Sequence, residues 1–138
     1  MIAYVDSSVI LRIVLGQRDP LEAWHRIKRP VASDLVQVEC LRTIDRARLA
    51  GRLDDREVAS RRSGLLELLD ALELVALEPA ILDRAAHPFP TSLGTLDALH
   101  LATALAVRDD LGSLVFATHD RSLGNAAAAV GFEVHGLA

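Results

Sequence analysis

Apolar and polar positions alternate along this chain in blocks that spell strands and helices in turn. Ile2 to Val5 is a short unbroken apolar run, the pattern of a strand buried on both faces. Val9, Ile10, Ile13 and Val14 then recur at helical spacing and predict a helix that ends near Gly16. Asp19-Pro20 opens a short helix carrying Leu21, Trp24 and Ile27, an apolar stripe expected to pack inward, and this helix must stop before Pro30. Val31 to Ser33 reads as a second strand. Helices are expected from about Asp34 to Ala50, with Gly51 as the stop, and from about Asp54 to Asp70. Leu72 to Leu77 alternates as a third strand does. Glu78-Pro79 opens a helix that ends before Pro88 and Pro90. Thr95 to Arg108 predicts a helix apolar on nearly every side, Leu114 to Ala117 a fourth strand, Arg121 to Ala129 a helix and Phe132 to Val134 a last short strand.

Strands separated by helices pair in parallel, because parallel neighbours need a crossover between them. The expected product is a doubly wound α/β fold, a three-layer α/β/α sandwich on a mostly parallel central sheet. No repeat, linker or low-complexity tract divides it, so residues 1–138 read as one domain. Such sheets bind ligands beyond the carboxyl ends of their strands, where the strand order reverses.

Acidic residues gather at those ends. Asp6 follows the first strand directly, and Asp120 lies three residues after the fourth, in Ala117-Thr118-His119-Asp120. Each alone also reads as a helix N-cap, which belongs at a strand-to-helix turn. Glu39 falls between Leu35 and Val36 on a helix whose apolar positions (Leu35, Val36, Val38, Leu41, Ile44) cover most of the circumference. A carboxylate there is partly buried and needs a partner, either a metal or its neighbours Arg42 and Thr43. Asp97 sits in Leu96-Asp97-Ala98-Leu99-His100-Leu101-Ala102. A first-turn acid after a Thr95 N-cap accounts for it alone, but not for the polar stripe Asp97, His100 and Thr103. His100 by itself reads as a hydrogen-bonded core histidine.

Together the four acids say more than each does singly. Clustered carboxylates repel one another, and a fold tolerates them chiefly when a cation neutralises them. Oxygen-only ligation selects Mg²⁺ or Mn²⁺ over zinc. Such ions orient and help deprotonate water and stabilise charge on a scissile phosphate, so the implied reaction is phosphodiester hydrolysis. Other acid-site folds fail on spacing. A receiver domain wants paired acids after the first strand and a lysine after the last, yet the chain has no lysine beyond Lys28. A haloacid-dehalogenase phosphatase wants Asp-x-Asp, but position 8 is serine. No Gly-rich phosphate loop occurs.

Composition adds bounds. At 51% apolar and 25% charged residues the chain is an ordinary globule whose core must come from Leu, Val, Ile and Ala, since aromatics are scarce. Cys40 is the only cysteine, which excludes an intrachain disulfide. The N-terminus has no signal-peptide pattern, and no apolar stretch approaches the roughly 20 residues of a membrane span, so a cytoplasmic protein without a membrane role is expected. The net charge of −4 counts against nucleic acid only weakly, because binding needs a local basic face. Among lysine and arginine, all but Lys28 are arginine, whose planar fork suits phosphate, although an arginine-rich chain with solvated surface arginines follows more simply from base composition.

Four blocks now carry a resemblance: Tyr4-Val5-Asp6-Ser7-Ser8-Val9-Ile10-Leu11, Ser33-Asp34-Leu35-Val36-Gln37-Val38-Glu39, Thr95 through Ala104, and Ala117-Thr118-His119-Asp120-Arg121-Ser122-Leu123. In this order and over nearly the whole chain they resemble the PIN-domain family, most of all the VapC-type toxins of bacterial toxin–antitoxin pairs. The resemblance implies an Mg²⁺- or Mn²⁺-dependent endoribonuclease, usually a homodimer, silenced by a small antitoxin. By the same match Asp6 and Asp97 would be the principal metal ligands, Glu39 would complete the site or position water, and Asp120 would be the fourth acid. Ser7 and Thr118 would be polar neighbours holding water or phosphate. One departure is Asp6-Ser7-Ser8, where many relatives carry Thr or Asn after the acid. Arg42 and Arg46 share a helix face with Glu39, from which they would guide RNA, neutralise Glu39 or face an antitoxin. His119 is expected to be a solvent-facing turn residue. Two other readings use the same residues: a PIN-like module that binds RNA or a partner without cutting, and a metal-dependent phosphatase or DNA nuclease.

Overall fold

The computed structural model describes residues 1–137. Strands β1 (Ile2–Val5), β2 (Arg29–Ser33), β3 (Glu73–Val75), β4 (Val115–Ala117) and β5 (Glu133–His135) form one sheet in the order β3-β2-β1-β4-β5. Every pairing is parallel. The helices are α1 (Ser7–Val14), α2 (Leu35–Leu49), α3 (Asp55–Asp70), α4 (Pro79–Ala86), α5 (Thr95–Leu111) and α6 (Arg121–Ala129).

Successive strand residues point to opposite faces and so feed two cores. Val5 and Ala117 pack with Val9 and Ile10 of α1, Val36, Cys40 and Ile44 of α2, and Leu65 and Leu69 of α3. Tyr4 and Phe116 pack on the other face with Leu101 and Ala104 of α5 and Leu123, Ala126 and Ala127 of α6. Helix α4 lies against α5. The expected three-layer sandwich is therefore present, with its order reversing between β1 and β4.

Local chemistry sets the element ends. Asp54 and Glu57 close a capping box at the start of α3. Pro79 occupies the first turn of α4, where a missing N–H costs nothing. Gly112 ends α5 in the left-handed conformation that glycine adopts without strain. Several expected boundaries move. Strand β2 begins at Arg29 and contains Pro30, which is tolerated because pairing with β3 starts only at Val31. The Leu72–Leu77 strand shrinks to Glu73–Val75, β4 starts at Val115 instead of Leu114, and β5 is displaced by one residue to Glu133–His135. Helix α5 runs three residues past Arg108, and its N-cap is Gly94 rather than Thr95. The segment after Pro20 is a 3-10 turn, Glu22–Arg26, with Leu21 and Ala23 buried and Trp24 and Ile27 packed on the first core. Val38 faces solvent at 56% exposure, so the α2 stripe is the narrower Val36, Cys40 and Ile44 at i, i+4 spacing. Among the described residues, no helix is long and apolar enough to cross a membrane.

Candidate active site

Asp6 leaves β1 where the strand order reverses and caps α1, its Oδ1 accepting from Val9 N–H at 3.3 Å. It is only 4% exposed. The Ser8 hydroxyl donates to the same oxygen at 2.6 Å and the Thr118 hydroxyl to Oδ2 at 2.7 Å. Capping and burial thus coexist. A carboxylate has about four lone-pair positions, and these three donors leave one on Oδ2. Burial holds the Asp6 carboxyl above its usual range, with the Ser8 and Thr118 hydrogen bonds opposing it.

Thr118 ties this acid to the next. Its hydroxyl gives its proton to Asp6 and accepts from Asp120 N–H at 3.0 Å, while Asp120 caps α6 through Leu123 N–H at 3.0 Å. The Ser8 oxygen likewise accepts from His119 N–H at 2.9 Å. Of the two serines after Asp6 it is Ser8 whose hydroxyl reaches the carboxylate; among the described hydrogen bonds none involves the Ser7 side chain. Its signal in the sequence was the Asp-x-Ser spacing, which returns a hydroxyl to its own cap.

Asp97, in the first turn of α5, is half-buried, and its carboxyl is held above the ordinary carboxylate range. Desolvation is the main cause and the Asp120 carboxylate the second; His100 opposes them, and Asp6 and Glu39 add smaller repulsions. The four acids therefore share one electrostatic neighbourhood although they come from four segments.

Glu39 does not pair with Arg42. Its Oε1 meets His100 Nε2 at 2.6 Å, and His100 Nδ1 meets the Tyr4 hydroxyl at 2.6 Å, both His100 and Tyr4 being fully buried. Thr43 bonds only the Glu39 backbone carbonyl, and Arg46 donates to Thr43. His100 is the hydrogen-bonded core histidine its setting implied, but its partner is the site. His119 departs from expectation: it is half-buried, its Nδ1 lies 3.0 Å from the Gly136 carbonyl, and its Nε2 is buried without a partner. The turn folds back under the segment after β5, so this ring does not face solvent.

The family model of the PIN domain matches residues 3–129. The chain belongs to the PIN-domain family. Among relatives of this PIN protein, Ribonuclease VapC46 of Mycobacterium tuberculosis is 34% identical over 134 residues, covering 95% of this chain and 94% of the relative. VapBC2 from Rickettsia felis, solved on a DNA fragment from its promoter, superposes with a TM-score of 0.69 at 12% identity, over 98% of this chain and 99% of the other. VapC20 of Mycobacterium tuberculosis, described as a toxin that cleaves the sarcin-ricin loop, gives 0.61 at 16% identity over 96% and 98%. These two likenesses establish the shared fold.

A divalent ion of the kind PIN domains use can be tested against the residues present. Among the described residues no three of the Asp, Glu, His and Cys side chains stand close enough together to enclose an ion. Mg²⁺ does not require that, since it keeps several waters and takes one or two carboxylates. Asp6, with one open lone pair, and Asp97, whose charge is disfavoured until something neutralises it, fit that need. A thiolate ligand does not: burial, then Glu39, push the Cys40 thiol up to about 12.

Proposed function

We propose that this PIN-domain chain is an Mg²⁺- or Mn²⁺-dependent endoribonuclease, the toxin of a toxin–antitoxin pair. The observation that supports this reading is Asp6 at the sheet's switch point together with Asp97, whose carboxyl is held above its normal range by burial and by the charges of Asp120, Asp6 and Glu39. The printed names of the relatives, ribonuclease and VapC, point the same way.

In this reading Asp6 and Asp97 hold the ion, which when bound supplies charge stabilisation at the scissile phosphate and an acidified water. Ser8 and Thr118 fix the Asp6 carboxylate by one hydrogen bond to each oxygen, so that its open lone pair keeps a constant direction. Glu39 is held by His100, which leaves Oε2 free to accept a proton or hydrogen bond from water. Asp120, anchored as the α6 cap, adds negative charge that makes cation binding more favourable. Arg42 and Arg46, exposed one and two turns along α2 from Glu39, would meet RNA phosphates. A small antitoxin protein, a homodimer and a cytoplasmic setting complete the proposal, the first supported by neighbours solved as toxin–antitoxin complexes.

The test is RNA cleavage by purified, antitoxin-free protein with Mg²⁺ or Mn²⁺, against EDTA and Asp97→Asn controls. Cutting that needs the metal and is absent in the variant is the expected result. Cutting that survives EDTA, or that Asp97→Asn retains, would overturn the metal-carboxylate mechanism. Binding of RNA without any cleavage would favour the non-cutting module.

A further inference from the structure

Beside the carboxylates lies a second feature that the metal chemistry does not use. A cavity of about 770 Å³ is walled by Arg12, Arg26 and Arg121 together with His25, His119 and His135. It draws on the same elements as the acid centre. Arg12 is one helical turn beyond Ser8 on α1, Arg121 directly follows Asp120, and His119 sends its backbone N–H to Ser8.

The chemistry of the wall is specific. Among the described residues no ion pair takes up Arg12, Arg26 or Arg121; Arg12 donates only to the Asp19 backbone carbonyl at 3.0 Å. His119 must donate through Nδ1, because the Gly136 carbonyl can only accept, and its Nε2 is buried, so this residue shapes the wall and is not one of its free binding groups. His135 is engaged by Glu133 at 2.9 Å. Asp19 and Glu22 are the acids that line the cavity, so arginine charge exceeds acid charge there. In a chain of net charge −4 this is a local reversal of sign.

We propose that this cavity is a binding subsite for the nucleotide next to the scissile phosphate, with Arg12 and Arg121 contacting backbone phosphates and the exposed His25 imidazole facing ribose or base. The proposal rests on the ribonuclease reading and extends it to substrate recognition. The volume falls within the roughly 300–1,000 Å³ of pockets that hold small ligands, enough for one nucleotide. Planar guanidinium and imidazole groups stack on bases and fork onto phosphates, which single-stranded RNA offers and an acidic peptide offers only in part. Asp120 acts electrostatically on Asp97 and Arg121 follows it directly, so a strand that leaves Asp6 and Asp97 on the Asp120 side would meet Arg121.

The experiment is fluorescence anisotropy of a labelled short oligouridylate in EDTA, where nothing is cut, over a series of salt concentrations. Each arginine lost should lower the slope of log affinity against log salt by about 0.7, the value for a single-stranded phosphate contact. Arg12→Gln and Arg121→Gln should each show this, and Glu22→Gln should bind more tightly than the parent. Arg56→Gln, at the start of α3 and outside the cavity, should change nothing. Equal melting temperatures would show that the variants are folded. An unchanged slope in both cavity variants, no binding by the parent at low salt, or looser binding by Glu22→Gln would overturn the subsite. Because no cleavage is read, failure here leaves the Asp97→Asn cutting test intact, and failure there leaves this binding result intact.

Discussion

His100 links to Glu39 at 2.6 Å across the gap between the two helical layers, since Glu39 rides on α2 and His100 on α5. The Tyr4 hydroxyl lies on Nδ1 and the carboxylate on Nε2, so one imidazole meets both neighbours. Burial, then the Asp6 charge, keep the Tyr4 phenol well above its ordinary range and therefore protonated as the donor. Tyr4→Phe should leave His100 Nδ1 buried and unmet and cost about 1–3 kcal/mol. His100→Ala, which also opens a cavity, should cost about 3 kcal/mol or more. Urea unfolding checks both, and equal midpoints for Tyr4→Phe and the parent would remove the chain's structural role.

Asp97 carries a pH prediction. Desolvation, and after it the Asp120 charge, raise its folded-state pKa above the unfolded value. The stability it contributes is fully present below the unfolded pKa and is lost as pH rises through the folded one, because the fold disfavours the charged form. In EDTA at neutral pH, Asp97→Asn should therefore melt higher than the parent, and the gap should narrow as pH falls into the ordinary carboxylate range. Mn²⁺ should raise the melting temperature of the parent and not of the variant. Asn also caps and starts helices acceptably, so a variant that melts lower at neutral pH would mean that Asp97 acts only as a first-turn helix acid.

Thr118 holds two acids with one hydroxyl. Thr118→Val keeps the shape but strips the donor from Asp6 Oδ2 and the acceptor from Asp120 N–H. A loss of about 2 kcal/mol is expected from two unmet buried groups. Mn²⁺ affinity, read by calorimetry, should fall about tenfold or more, as it does when a residue orienting a metal ligand is removed. Thr118→Ser should recover most of both.

Gly136 closes the turn that places His119. Its φ is +109°, and a Cβ there would stand 2.3 Å from the Thr118 carbonyl oxygen. Gly136→Ala should cost about 3 kcal/mol or more, combining left-handed strain with a backbone clash. A thermal melt within a degree or two of the parent would contradict the tight packing of this segment on β4.

Much of the fold was legible along the chain because its signals are local. The glycine stop at Gly51 and the proline after Glu78 act on neighbouring residues only, and the helices they bound lie within a residue or two of where they were expected. Short elements were placed less well: β3 and β5 have three residues each, too few for periodicity to set a boundary. Val38 misled for a different reason: an apolar residue on a helix does not declare which way the helix will turn.

By itself the sequence determined that strands alternate with helices, that the pairing is parallel, and that Asp6 and Asp120 end strands as helix caps. These follow from spacing and capping, which act within one turn of chain. Only the tertiary structure decided that Glu39 takes His100 and not Arg42, and that His119 folds beneath Gly136. Each of these depends on which side chain faces which across segments remote in sequence or on one helix's rotation. That is settled when the whole apolar surface finds its burial, because the core's packing is worth far more than any single polar contact it sets in place.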